Sequence, residues 1–486
     1  MRIHYLAVAI SLILKYFSLV MLFPVGAALY FKDTNSLIAF TITMFVAFVI
    51  GFVLNPKKID ANLLNDLKKS EALATVSLSW VSLSLITMIP YLFYDFSPIN
   101  ALFESVSGIT TTGATVLTDF SIYPKSMFLW RSYTQWLGGM GIIVLFIAIL
   151  PQFAIAGRQM FSAESPGPTD GKFTPRVKSS AAVLWNMYIL MTIILIAVLF
   201  FGKMPLFDAI CTAFSTVSCG GFSPNPDSII AYNSSYFNWI IILFMFLSGT
   251  GYSLLYRAFV QRRKLSLLIK NDELVAYIGT VIVFALIIAG ILILKHTYGW
   301  YQALEEGIFQ VTSIITTTGF ATVDYTKWPF AGQMILMLLL FTGASAGSAS
   351  GGLKMIRVVF IFKYIKKELF KILHPSAVLP IRVNDTPVPV EIMGQMMSFI
   401  IFYFAIFAVS AFAMTMIEGN TTIGVTGAIS TLGNTGPCFG SLGPMGNFDA
   451  LAPVTKIICI FNMLIGRLEL IPFLALLHPD MYNIKK

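Results

Sequence analysis

The sequence is poor in charge, cysteine and histidine. Only 11% of its 486 residues are charged, under half of the about 25% that covers an ordinary soluble domain. With 57% hydrophobic residues and a mean hydropathy of +0.81, what remains cannot dress a water-facing surface. A soluble enzyme, a secreted binding module and a disordered scaffold are excluded. The four cysteines, Cys211, Cys219, Cys438 and Cys459, include no C-x-x-C pair, so neither a zinc site nor a disulfide frame is indicated. The four histidines stand at no metal-ligand spacing. Gly138-Gly139-Met140-Gly141 lacks the preceding strand of a dinucleotide fingerprint. No paired acids or histidine cluster inside the apolar segments support an enzyme, and no organic cofactor is expected in this chain.

What the chain has instead is long apolar runs. A membrane-crossing helix needs about 20 mostly apolar residues. Segments near 5–31, 36–54, 72–93, 127–150, 181–201, 237–260, 273–294, 331–342 continuing through 353–365, 392–417 and 451–477 meet that need. The first is too long for a cleaved leader, carries Lys15 and is closely followed by another span. With the amino terminus inside, most of the 32 Lys and Arg fall in loops on one side, among them 157–178, 257–270 and 357–382. The positive-inside rule then places both termini in the cytoplasm. The same rule accounts for the formal charge of +9 without a nucleic-acid partner. Membrane lipid is the expected surrounding.

A repeat runs through the spans. Thr110-Thr111-Thr112-Gly113 lies between the third and fourth, and Thr316-Thr317-Thr318-Gly319 between the seventh and eighth. Weaker copies, Val217-Ser218-Cys219-Gly220 and Gly433-Asn434-Thr435-Gly436, lie between the remaining pairs. The key glycines Gly113, Gly220, Gly319 and Gly436 thus recur roughly every hundred residues. Each copy follows a moderately apolar stretch, about 99–109, 205–216, 301–315 and 421–432, that is too short to span. The unit reads as span, half-helix, glycine-ended loop, span. One such loop alone is as readily an ordinary glycine turn. Four at equal topological positions point to irregular backbone lining a watery or protein-enclosed path, the only place such backbone survives at membrane depth. Around one axis, four such loops would present carbonyl oxygens able to replace a cation's hydration shell.

These motifs, with Trp130-Arg131-Ser132-Tyr133-Thr134-Gln135-Trp136-Leu137-Gly138-Gly139-Met140-Gly141, Gly220-Gly221-Phe222-Ser223, the run Gly343–Lys354 and Gly466-Arg467-Leu468-Glu469, resemble the Trk/Ktr/HKT superfamily of cation transporters. Within it they are most similar to the bacterial TrkH/TrkG potassium-uptake proteins, over nearly the full length. The resemblance implies an all-α polytopic membrane protein of four pseudo-symmetric repeats around one pore, after two extra helices at 1–56. The repeats would occupy 70–157, 180–264, 271–372, with a broken second span, and 388–480. It implies potassium as the transported ion, a bacterial inner membrane location, a homodimer and a cytosolic nucleotide-binding regulatory ring of the TrkA or KtrA type. A sodium-coupled or weakly selective transporter is the alternative.

Two features suggest a gate. The segment 343–352 holds only Gly, Ala and Ser, a composition that weakens a helix by about 1 kcal/mol per Gly. It fits either a small-residue packing surface or, as the resemblance implies, an intramembrane gating loop, with Gly343, Ala346, Gly347, Ser348, Gly351, Gly352 and the following Lys354 as its residues. Ser350 stands where the family's run favours glycine. Arg467 lies within the last apolar segment, where an arginine costs at least about 2.5–3.5 kcal/mol. It reads as an electrostatic barrier to cations or as a structural donor to loop carbonyls. Glu104, Asp208, Glu305 and Glu306, near the starts of the short helices, either gather cations at the outer mouth or merely suit the helix dipole.

Overall fold

Backbone N–H and C=O groups cannot be left unpaired in hydrocarbon, so apolar runs of this length fold as helices that satisfy them internally. The computed structural model describes residues 3–54, 69–141, 177–261, 266–377, 379–384 and 386–468. Within them the chain is all-helical apart from a small antiparallel hairpin, Arg382–Val383 with Thr386–Pro387. Ile3–Val20 and Leu22–Tyr30 run together as one span. The joint at Met21 falls just ahead of Pro24, whose ring and missing N–H break the bond to residue 20. Thr34–Val53 follows, started by the Asp33 side chain accepting from Ser36 N at 3.2 Å.

Four times the chain then repeats a long helix, a short helix and a further helix. The long members are Lys69–Thr87, Val177–Phe201, Asp272–Leu294 and Val390–Glu418. The short ones are Pro98–Ile109, Leu206–Val217, Trp300–Ile315 and Thr421–Gly433. They have 12, 12, 16 and 13 residues, about 18–24 Å at the α-helical rise, which falls short of a hydrocarbon core of about 30 Å. Two of the starts carry side-chain caps: Ser97 ahead of Pro98, and Asn420, which accepts from Thr422 N and Ile423 N.

Among the described residues, six helices are long and apolar enough to cross a membrane, or seven if a bent pair counts as one. The difference from the ten runs in the sequence lies mostly in the closing helix of each repeat. Lys125–Gly139 and Pro453–Arg467 are short, and the remainders of the expected 127–150 and 451–477 lie largely outside the described residues. Phe330–Leu339 and Met355–Leu373 flank the expected interruption. The run 237–260, expected as an uninterrupted span, is corrected: Ser235–Ser248 and Tyr252–Gln261 meet at 96°. Gly249 and Gly251 make the break inexpensive, and segment 343–352 fills it. Ser345 N donates to Gly249 O at 2.9 Å, and Tyr252 N donates to Gly347 O at 3.2 Å.

Polarity is inverted relative to a water-soluble protein. Phe45, Phe201, Leu294, Val409 and Phe412 stand exposed, whereas Thr75, Ser79, Ser84 and Thr87 are buried, each donating to a carbonyl four residues back. The chain is a multi-pass membrane protein, with its hydrogen-bonding groups turned inward.

Candidate functional site

The four short helices end in one way. Thr112 N donates to Ser107 O, Gly220 N to Ser215 O, Thr318 N to Ser313 O and Thr435 N to Ser430 O, at 2.8–2.9 Å. The residue before each donor is left-handed, with φ of +55°, +56°, +56° and +55° at Thr111, Cys219, Thr317 and Asn434. This is the Schellman way of closing a helix, which normally places Gly or Asn at that position. Only Asn434 fits the preference. Two threonines and a cysteine held there cost about 1–3 kcal/mol each, and strain of this kind collects at functional sites.

Two residues later each loop turns again through a glycine of positive φ: Gly113 at +81°, Gly221 at +79°, Gly319 at +77° and Gly436 at +92°. The second copy is therefore corrected by one residue. Gly221 stands where Gly113, Gly319 and Gly436 stand, Gly220 takes the place of Thr112, Thr318 and Thr435, and Val217 is the last helical residue, as Ile109 and Ile315 are. Two adjacent glycines gave the sequence no means of choosing. Backbone φ decides.

The loops close on one another. A Cβ at Gly113 would overlap the carbonyl oxygen of Gly220, and one at Gly221 that of Thr318. One at Gly319 would overlap the oxygen of Thr435, and one at Gly436 that of Thr112. Each glycine makes room for a carbonyl of the following loop, and the fourth contact returns to the first loop. Next to this ring lies a cavity of about 120 Å³ lined by Gly113, Gly221, Gly319 and Pro437, with residues 442–448 on its wall. Potassium is cargo in the expected reading, and four inward-folded carbonyl loops are the donor chemistry that a dehydrated alkali cation takes.

Side chains hold the loops differently. Thr110 and Thr112 share a hydrogen bond at 2.8 Å, as do Thr316 and Thr318. The second loop is gripped from outside: Gln135 donates to Gly220 O at 2.6 Å and accepts from Phe222 N at 3.0 Å. The fourth is tied through Asn434, whose amide donates to Thr112 Oγ1 and Met463 O at 2.9 Å each. Glu104 is wholly buried and accepts from Arg131 Nε at 2.8 Å. Glu305 accepts from Ser235 and Asn238, and Glu306 from Thr322. None of Glu104, Asp208, Glu305 and Glu306 lines the cavity, and the carboxylates of Glu104, Glu305 and Glu306 are engaged by neighbouring side chains instead.

Segment 343–352 packs directly on the ring. Gly351 N donates to Thr317 Oγ1 at 2.7 Å, and a Cβ on Gly351 would strike the Gly433 carbonyl. Gly343 N reaches Leu353 O at 2.7 Å, Ser348 shares a bond with Ser350 at 2.9 Å, and Gly347 and Gly352 have positive φ. Lys354 donates to the Ser350 carbonyl. Arg467 joins the segment to the first repeat, donating to Ala349 O at 2.8 Å and to Gly138 O and Gly139 O at 2.6 and 2.9 Å. The two carbonyls end a helix, where a cation suits the dipole. Glu273, which the sequence did not single out, accepts from Ala346 N at 2.6 Å and Ile356 N at 3.1 Å, so one carboxylate ties the segment to the helix that follows it. An acidic residue in a helix's first turn is too ordinary a signal to reveal this.

Comparison with known proteins agrees with this architecture. The family model described as "TrkH: Cation transport protein" matches residues 36–483. The Trk system potassium uptake protein TrkH of Salmonella typhimurium is 36% identical, with 99% of this chain and 100% of the relative covered. TrkG of Escherichia coli is 33% identical over 95% of this chain and 94% of its own. The crystal structure of the potassium transporter TrkH from Vibrio parahaemolyticus superimposes with a TM-score of 0.89 at 31% identity, covering 99% of this chain and 100% of that one. These relatives are described as transporters, not enzymes.

Proposed function

The chain belongs to the TrkH family of cation transport proteins, and from that premise we propose that it takes up potassium through the ring of four loops. The filter would consist of Thr110–Gly113, Ser218–Gly221, Thr316–Gly319 and Gly433–Gly436. The observation that carries this reading is the closed cycle of glycine–carbonyl contacts, since it brings peptide oxygens from four repeats to one place. There they can stand in for the water that potassium sheds.

In this reading, segment 343–352 blocks the path beneath the filter, and Arg467 adds a fixed positive charge that raises the barrier for cations. The hydrogen bonds from Arg467 to Ala349, and from Gly351 to Thr317, support a closed segment that must release both contacts before ions pass. The reading further places the chain in a bacterial inner membrane with both termini in the cytoplasm, as a homodimer bound to a cytosolic nucleotide-sensing ring. What supports the ring is the Trk system naming of the relatives. The lysines of Met355–Leu373, namely Lys363, Lys366, Lys367 and Lys371, supply a cytoplasmic surface for it. Uptake by the purified protein in liposomes, compared for potassium, rubidium, sodium and lithium, tests the proposal. Potassium and rubidium should enter much faster than sodium and lithium, and equal rates would refute selection by the ring.

A further inference from the structure

We propose that Arg131 is a positioning residue for ion selection: its guanidinium, anchored on Glu104, fixes the separation of the first and second loops. This inference rests on the filter reading above. Arg131 and Glu104 are 1% and 0% exposed. From this buried position the guanidinium reaches both loops just beyond their turning glycines. Nε is held by Glu104 at 2.8 Å, Nη2 donates to Thr115 Oγ1 at 3.0 Å and Nη1 to Ser223 O at 3.4 Å. The guanidinium carbon lies 4.0 Å from the centroid of the Phe222 ring. Glu104 also accepts from Val116 N at 3.0 Å and from Thr115 Oγ1 at 3.1 Å, so the acid grips the outgoing limb of the first loop as well. One turn further along the same helix, Gln135 holds Gly220 O and Phe222 N.

Backbone hydrogen bonds also run between the loops at two other seams. Ile229 N meets Ala321 O at 3.1 Å, and Phe448 N meets Thr115 O at 2.8 Å. Burying an ion pair where neutral contacts would serve carries a desolvation cost that often exceeds its Coulomb gain, so its use is better sought in specificity than in stability. A rigid fork that meets two loops at once supplies such a use. A carbonyl cage discriminates between cations by its size and by the number of dipoles it brings to the ion, and both change if the first two loops drift apart. Lysine keeps the charge beside Glu104 but, with a single flexible ammonium, cannot bridge two loops and stack on Phe222.

The test uses the full-length protein in liposomes, with potassium and sodium uptake measured separately. Arg131→Lys should assemble normally, and its potassium-to-sodium rate ratio should fall about tenfold. Thr115→Val removes one arm of the brace and leaves the ion pair in place; its ratio should fall about threefold, and it decides the matter should Arg131→Lys fail to assemble. Gly319→Ala is measured alongside as the check on the filter reading itself. If Gly319→Ala abolishes selective uptake while Thr115→Val and any assembled Arg131→Lys keep the original ratio, the brace is overturned and the filter stands. If Gly319→Ala changes neither rate nor ratio, the filter reading fails and the brace with it.

Discussion

The first and third loops share the letters Thr-Thr-Thr-Gly and the second and fourth do not, yet all four follow one backbone course. The first and third hold themselves, through hydroxyl pairs inside each loop. The second has Gly220 where a paired hydroxyl would stand and depends on Gln135, whereas the fourth begins with Gly433 and depends on the Asn434 amide. The repeated element is therefore the path of the peptide chain. The side chains that secure it are interchangeable, so the four loops can differ in sequence while their backbone keeps one course.

The largest effect that would break this comparison lies at the turning glycines. Gly221→Ala should eliminate potassium uptake, because its Cβ meets the Thr318 carbonyl and its φ is positive. Gly220→Ala should retain part of it, since its Cβ meets only the movable end of Gln135. Uptake rates at matched protein amounts check the order, and the reverse order would restore the register first read from the sequence. Next in size is removal of the external support. Gln135→Ala strips partners from Gly220 O and Phe222 N, at about 1–3 kcal/mol for each buried group left unpaired. It should lower both thermal stability and the potassium-to-sodium ratio. Thr110→Val in the self-held first loop should cost only about 1 kcal/mol, visible as a small drop in melting temperature.

Beneath the ring the comparison can be sharpened. Thr317 and Thr111 occupy equivalent positions, but only the first accepts a bond from segment 343–352, while Thr111 Oγ1 has no hydrogen-bond partner. Arg467→Gln, which loses the fixed charge and weakens the hold on Ala349, should raise resting potassium flux about tenfold. Thr317→Val should raise it severalfold, and Thr111→Val should leave it near the original value. Equal responses of the two threonine variants, in a flux assay without any regulatory partner, would show that the Gly351 contact does not restrain the segment.

Much of this was legible in the sequence. Composition fixed the membrane class, and the half-helix bounds 99–109, 205–216, 301–315 and 421–432 fall within a residue or two of the helices found. Both depend on local hydrophobicity and on glycine placement, which sequence carries directly. The register of the second loop was not legible, because both Gly220 and Gly221 can turn a chain. Neither was the 96° bend at 249–251: its cause is a distant segment wedged against Gly251, and a pair of glycines inside an apolar run does not announce what will pack there. The two bonds of Glu273 were hidden for the same reason, since its partners are backbone N–H groups more than seventy residues away.

The most direct test of the central claim is the anomalous scattering of rubidium soaked into crystals of the full-length protein. A peak on the axis of the ring, surrounded by peptide oxygens from the loops ending at Gly113, Gly221, Gly319 and Gly436, is the predicted result. A protein that takes up rubidium yet shows no peak within that ring, or shows its peak elsewhere, would contradict the account.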